Sequence, residues 1–205
     1  GYNRNTAGAI MEGPTYIGGA GFTPLYVIAS IGHVIHFLKH WWTPHDRAGK
    51  ILRCVTAWSQ YQAGTSISIL EDVTTDLSYM EGKFINAVRT TLQTIDGKIS
   101  IKPDFVLPPL RHGDLCIMEI SLLKSMNKLE QKKVSYCRLF LGVTYVSEIC
   151  TIKGTHLVDN IKDGNINNKL YESRLSRPYQ ERPNQNSWKL WSKLLRSISY
   201  PSGEP

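Results

Sequence analysis

The first long apolar stretch carries its hydrophobic residues every three or four positions: Ile28, Ile31, Ile35, Leu38 and Trp42. That spacing predicts an amphipathic helix over residues 24–42 with this stripe buried. Thr23-Pro24 supplies the start, because threonine caps and proline is tolerated at the first helical position. Thr43-Pro44 repeats the signal, and Asp46 complements the dipole of a second helix with Ile51, Leu52, Val55 and Trp58 on one side. The corner between them is tight, so the pair is expected to pack as a helical hairpin. Residues 63–68 break the pattern; Leu77, Met80, Phe84, Val88, Leu92 and Ile95 then mark a third helix.

Asp96-Gly97 is a turn signal, residues 98–101 a short strand candidate, and the prolines at 103, 108 and 109 predict an extended loop. Asp114 is placed to cap a fourth helix reaching about Asn127, and a fifth is expected from about Glu130 to Leu141. In "EICTIKGTHLV", residues 148–158, β-branched positions alternate around Lys153-Gly154, which predicts a small β-hairpin. Residues 160–186 turn to Asn, Arg, Pro and Gln and read as a linker. "SWKLWSKLLRSI", with Ser187 as cap, returns to helix. Its Trp188, Trp191, Leu194, Leu195 and Ile198 share an arc of about 120°, opposite Lys189, Lys193 and Arg196. Docking of that apolar side on the rest of the protein is favoured over a basic amphipathic helix lying on a membrane or nucleic acid. The expected fold is mainly α. Residues 1–101 form one helical region and 102–159 a second helical subdomain with the hairpin; 160–186 are linker, and 187–205 the amphipathic helix and tail.

Composition narrows this picture modestly. A chain of 205 residues buries a core without needing a disulfide framework. Cys54, Cys116, Cys137 and Cys150 form no C-x-x-C pair, which removes a zinc ribbon and a thioredoxin-type motif and reads as reduced thiols in a nuclear or cytoplasmic protein. No segment reaches the ~18 apolar residues of a membrane span, so no membrane partner is expected; the nearest, residues 25–38, carries His33 and His36. The chain opens on Gly1 without an initiator methionine, which reads as a fragment of a larger protein or a processed product. The formal net charge of +7 favours polyanionic partners.

Candidate chemistry is sparse. Gly18, Gly19 and Gly21 make G-G-x-G before a helix, but neither the G-x-G-x-x-G fingerprint nor a Walker lysine follows, so the glycines read as a turn that lets the helix pack closely. His33, His36 and His40 share one helix face, roughly 150° from the apolar stripe, which predicts a polar surface, or a surface near phosphates, before it predicts a metal site. Glu71, Asp72 and Asp76 stand where a cap and turn are expected. Lys124, Lys128, Lys132, Lys133 and Arg138, with Arg174, Arg177 and Arg182, make either a solvated face or a track for a phosphate backbone. No G-x-S-x-G elbow and no nucleophile–base pair stands out.

"GPTYIGGAGFTPLY" resembles the stretch that follows the polymerase palm in non-LTR (LINE-like) retrotransposon reverse transcriptases, through Pro14, Gly18, Gly19, Gly21, Phe22, Pro24, Leu25 and Tyr26. "GKILRCVTAWSQYQAGTSISILED", "SYCRLFLGVTYVSEICTIKGTHL" and "RPYQERPNQNSWKLWSKLL" resemble further segments of one group of these elements, in the expected order. The resemblance implies that residues 1–101 are a thumb-like helical region, that a palm precedes the chain, and that an RNase H-like domain follows it. The Y-x-D-D motif that holds magnesium is missing and no two aspartates are adjacent, so no catalytic residue or cofactor is expected here; magnesium belongs to the palm. The implied function is to hold a template–primer RNA/DNA duplex by backbone contacts. Lys39, His36, His40, Lys132, Lys133 and Arg138 are the expected contact residues. The alternative is a structural connector between polymerase and RNase H-like domains that touches no nucleic acid.

Overall fold

Local capping signals and apolar periodicity resolve into helices over much of the chain. The computed structural model of the protein describes residues 11–17, 21, 23–102, 104–158, 161–164 and 181–199. Among them lie α1 (Leu25–Trp41), α2 (Arg47–Ala63), α3 (Lys83–Thr94), α4 (Ser121–Lys124), α5 (Lys128–Leu141) and α6 (Gln185–Ile198). The fold is mainly α, as expected.

The ends of these helices follow from side-chain and backbone chemistry. α5 opens with a capping box: the Asn127 side chain accepts from the Glu130 amide at 3.0 Å, and Glu130 accepts from the Asn127 amide at 3.0 Å. It closes on Gly142 in the left-handed region (φ 76°), whose amide donates to Arg138 O. The cap of α6 is Asn184, which accepts from the Ser187 amide at 3.0 Å; Ser187, the expected cap, is the donor. Pro24, at the first helical position in the sequence reading, stands at the N-cap of α1.

Other expectations are corrected. Leu77 and Met80 precede α3 in irregular chain, yet both are buried. No strand forms at residues 98–101; the Ile99 amide bonds to Leu70 O at 2.9 Å and Ile101 fills the core. The fourth helix shrinks to a 3-10 turn (Ile117–Glu119) and the single turn of α4. Asp114 caps no helix, because its carboxylate accepts instead from the Ser147 amide at 3.1 Å and from the Ser147 hydroxyl. The expected hairpin is only a loop closed by one isolated bridge, Cys150 with Leu157, since a 3-10 turn (Val146–Ile149) occupies its first arm.

α1 packs on α2 and α3, and α5 on α6. One buried cluster runs from Phe37 through Ile69, Ile85, Ile117, Leu141 and Ile149 to Leu195. α1 meets α2 at a corner where Gly49 is required: a Cβ there would lie 2.1 Å from Thr43 O. Residues 161–164, expected within the linker, pack on α6; Ile161 is fully buried and its carbonyl accepts from Trp191 Nε1 at 2.9 Å. Residues 160 and 165–180 of that linker, and Gly18, Gly19 and Phe22 of the glycine turn, lie outside the described residues; residues 181–186 are described, and the last two of them already belong to α6. Gly21 is described: its φ is 66°, and its amide donates to Gly13 O at 2.9 Å. No helix among the described residues is long and apolar enough to cross a membrane.

The largest correction concerns α1. Phe37 and Trp41 are its buried residues, with Val34 and Leu38 packed against the core. The Ile28, Ile31, Ile35 and Trp42 positions of the expected core stripe stand 53, 45, 60 and 78% exposed. The helix is apolar on two sides, and its neighbours bury the side that contains Phe37.

Candidate nucleic-acid interface

The six residues expected to touch a duplex come from α1 and α5. Arg138, the most basic of them, is fully buried. Its Nη1 donates to Val143 O at 3.1 Å, and its Nη2 to Tyr61 O and Gln62 O at 2.5 and 3.0 Å. The guanidinium also lies 5.1 Å from the centre of the Tyr61 ring. Tyr61 and Gln62 belong to the last turn of α2, where carbonyls lack intrahelical donors and the dipole is negative. Arg138 is therefore a tie between α2 and the end of α5, and its use as a phosphate contact is corrected: the charge is already enclosed by protein.

Lys132 is engaged too, though at the surface. Its Nζ lies 3.0 Å from Glu81 Oε1, and the Tyr136 hydroxyl donates to the same oxygen at 2.7 Å. These hydrogen bonds, from Tyr136 first and then Lys132, hold Glu81 below the usual carboxylate range, and Glu81 in turn pushes Lys132 up. Such an exposed pair contributes about 1 kcal/mol or less. Lys133, half-exposed, has no ion-pair partner among the described residues, and neither has the exposed Lys39.

The histidines do not form the separate polar face expected of them. His33 and His36 set their rings edge-on to Phe84 of α3, with centroids 6.1 and 5.8 Å away, and His36 meets His40 at 4.3 Å. His36 remains exposed, whereas His40 is half-buried and its Nδ1 is enclosed without a hydrogen-bond partner among the described residues. The seam between α1 and α3 thus uses them as flat, partly apolar rings. α1 packs chiefly on α2 and α3 and α5 on α6, so the six are divided between two separate helix packings.

The acidic residues are turn-makers. Asp72 accepts from the amides of Thr74 and Thr75 at 3.1 and 3.2 Å and from their hydroxyls at 2.7 and 2.5 Å. Burial raises its pKa, but these hydrogen bonds outweigh it and hold the carboxyl at about 2. Asp76 accepts from the Ser78 amide at 2.8 Å. The turn they build is closed by a second buried arginine that sequence reading missed. Arg89 donates to the carbonyls of Ile69, of Asp72 at 2.7 Å and of Thr75 at 2.6 Å. Its only sequence signal is a charge on the Val88–Leu92 side of an amphipathic helix.

Two grooves flank this turn. One, of about 640 Å³, lies against α3 and presents Asp76, Glu81, Lys83, Asn86 and Lys128. The other, of about 540 Å³, presents Ser66, Asp76, Glu119, Lys124 and Gln131. Charges of both signs line each of them, which does not select a polyanion. Among the described residues no three His, Cys, Asp or Glu side chains gather as a metal set.

Among the described residues two surfaces remain: the exposed apolar ridge of α1 and the outer side of α6. α6 buries Trp188, Trp191, Leu194 and Leu195, so its apolar side is docked, as favoured from the sequence, and Lys189, Lys193 and Arg196 face solvent. Comparison with protein-family models, with curated proteins and with solved structures returns no match for the chain.

Proposed function

We propose that this chain is the helical thumb and connecting region of a non-LTR-type RNA-directed DNA polymerase polyprotein, and that its task is to hold neighbouring domains together. The order of motifs that resembles such polyproteins supports the setting, and the mainly helical fold agrees with it. The connector role is carried by one observation, the unpartnered ridge of Ile28, Ile31, Ile35 and Trp42 on α1. Large apolar side chains aligned on one helix face are what a docking surface requires. Completing the burial of each yields about 1 kcal/mol, half the value of a fully buried aliphatic or aromatic side chain. The occupant proposed is the palm domain that the resemblance places before the chain. No chemistry is assigned to the chain itself; magnesium and the nucleotidyl transfer belong to that palm.

In the full polyprotein, Ile31→Ser with Ile35→Ser should speed protease cleavage between palm and thumb. The same pair should leave the melting temperature of the isolated chain within about 2 °C of wild type, because both side chains are already exposed. An unchanged cleavage pattern would remove the connector role. A second reading, contact with a template–primer duplex, is favoured by Lys39 beside the exposed His36 on α1 and by Lys133 on α5, neither lysine having an ion-pair partner among the described residues. Lys39→Gln with Lys133→Gln should weaken duplex affinity at low salt if these residues carry the contact.

A further inference from the structure

We propose that His36 and His40 of α1 form a two-imidazole site for a divalent transition-metal ion, copper(II) or nickel(II) ahead of zinc. The inference uses only α1 and its neighbours and is independent of the family reading. The two residues stand four apart on one helix, the spacing at which side chains share a face. Their ring centres are 4.3 Å apart. With metal–nitrogen bonds of about 2.1 Å, two imidazoles on one ion have centres about 4.6 Å apart at a right angle and about 5.3 Å apart at the tetrahedral angle. The observed separation lies within about 0.3 Å of the right-angled case. A right angle between nitrogen ligands suits the tetragonal geometry of copper(II) and nickel(II), whereas zinc prefers the tetrahedron.

A second observation calls for an occupant. His40 Nδ1 is enclosed and has no hydrogen-bond partner among the described residues. A buried polar nitrogen without a partner is uncommon in a folded protein, and a bound ion is one of the few ways to satisfy it. His36 supplies the access: its side chain is exposed, and its ring stands edge-on to Phe84 of α3 at 5.8 Å, which limits its rotation. The backbone beneath the pair is held. Trp41 is buried and its carbonyl accepts from Arg53 Nη2 at 3.1 Å, while the Thr43 amide donates to His40 O at 3.3 Å. Ligands positioned in advance lose little freedom on binding.

The surroundings select the ion. His40 lies in the last turn of α1, where the helix dipole favours a cation. Arg53 sets its own charge over the Trp41 ring at 4.2 Å, and Lys39 is exposed, where salt screens it. Imidazole nitrogen suits copper, nickel and zinc; magnesium and calcium require oxygen donors and are refused. In the zinc-peptidase motif H-E-x-x-H the residue after the first histidine is a glutamate that serves as general base. Here that position is Phe37, which is fully buried, so the site binds an ion and no hydrolysis is assigned to it.

The test is a calorimetric titration of the full 205-residue chain with copper(II), nickel(II) and magnesium chlorides in a non-coordinating buffer, with electron paramagnetic resonance to identify the copper ligands. Copper should bind more tightly than nickel, and magnesium should not bind at all. The copper spectrum should show splitting from two nitrogens. His36→Gln and His40→Gln should each weaken copper binding about a hundredfold, because a chelate becomes a single ligand, and each should remove one nitrogen from the spectrum. Should His40→Gln melt early, His36→Gln decides the matter, since that side chain is exposed. A control that removes three other histidines, His45→Gln/His112→Gln/His156→Gln, should keep both the affinity and the spectrum. Copper affinity in His36→Gln within about threefold of wild type overturns the proposal, and so does an equal loss in the control. Magnesium binding that displaces copper overturns it in favour of an oxygen-lined site. None of these outcomes alters the protease experiment on the α1 ridge, so the two proposals fail separately.

Discussion

Replacing Arg138 with methionine distinguishes a residue that builds the fold from one that touches a ligand. The substitution keeps a long, flexible apolar stem and removes the guanidinium fork. Three carbonyls then lose their donor: Tyr61 O and Gln62 O at the end of α2, and Val143 O after α5. A hydrogen bond from a charged group contributes about 1.5–3 kcal/mol, so the three together contribute on the order of 6 kcal/mol. Against this stands the desolvation of a buried cation, which costs several kcal/mol and is relieved in the variant. The orphaned carbonyls remain enclosed and decide the sign. The net expectation is a loss of about 3 kcal/mol, read as a lower urea midpoint with an unchanged m-value. For a chain of this size that corresponds to a melting temperature lower by about 6–12 °C. Arg138→Lys should fall between the two, because an ammonium is a point donor and cannot bridge the ends of two helices at once. Urea unfolding followed by far-ultraviolet circular dichroism gives the numbers. An Arg138→Met protein within about 0.5 kcal/mol of wild type would refute the reasoning, decisively so if it had also lost duplex affinity.

Three further outcomes follow from the structure. Gly49→Ala should destabilise by about 1–3 kcal/mol in the same urea assay, since the new methyl group meets Thr43 O at 2.1 Å and His40 O at 2.8 Å; wild-type stability would mean that the α1–α2 corner is looser than described. Asp72 is depressed from its ordinary 3.8 to about 2, so its stabilising contribution is full above about pH 4 and is lost as pH falls toward about 2. Asp72→Asn should accordingly be less stable at neutral pH and should shed less stability across that acid window; parallel pH profiles of the urea midpoint would contradict the hydrogen bonds from Thr74 and Thr75. Among the four thiols, Cys54 is exposed, while burial pushes Cys116 up to about 12 and also raises Cys137 and Cys150. Ellman's reagent should therefore find one fast thiol in the native protein and four in urea; Cys54→Ser should abolish the fast phase.

Much of this architecture was legible before any tertiary information because it depends on neighbours in sequence. The helix cores around residues 25–41, 47–63 and 128–141 announce themselves through local periodicity, and Gly64 and Gly142 stop two of them through positive φ. The Asn127–Glu130 capping box and the turn at Asp72 are likewise contacts within four residues. The hairpin prediction went astray for a related reason: alternation of β-branched residues needs a partner strand, and only one bridge forms at Cys150.

The sequence by itself determined that the chain is helical, where most of its helices lie, and that α6 has an apolar side and a cationic side. Only the tertiary structure decided which apolar side of α1 faces inward, that Arg138 and Arg89 serve backbone carbonyls, and that Lys132 is paired with Glu81 across the surface. The physical reason is range. Propensity, capping and helical period act over a few residues and are written in order along the chain. Burial and charge pairing depend on which distant segments arrive alongside, such as Tyr61 beside Arg138 or Phe84 beside His36. A helix with two apolar sides, or an arginine with many acceptors in reach, holds no local record of that choice.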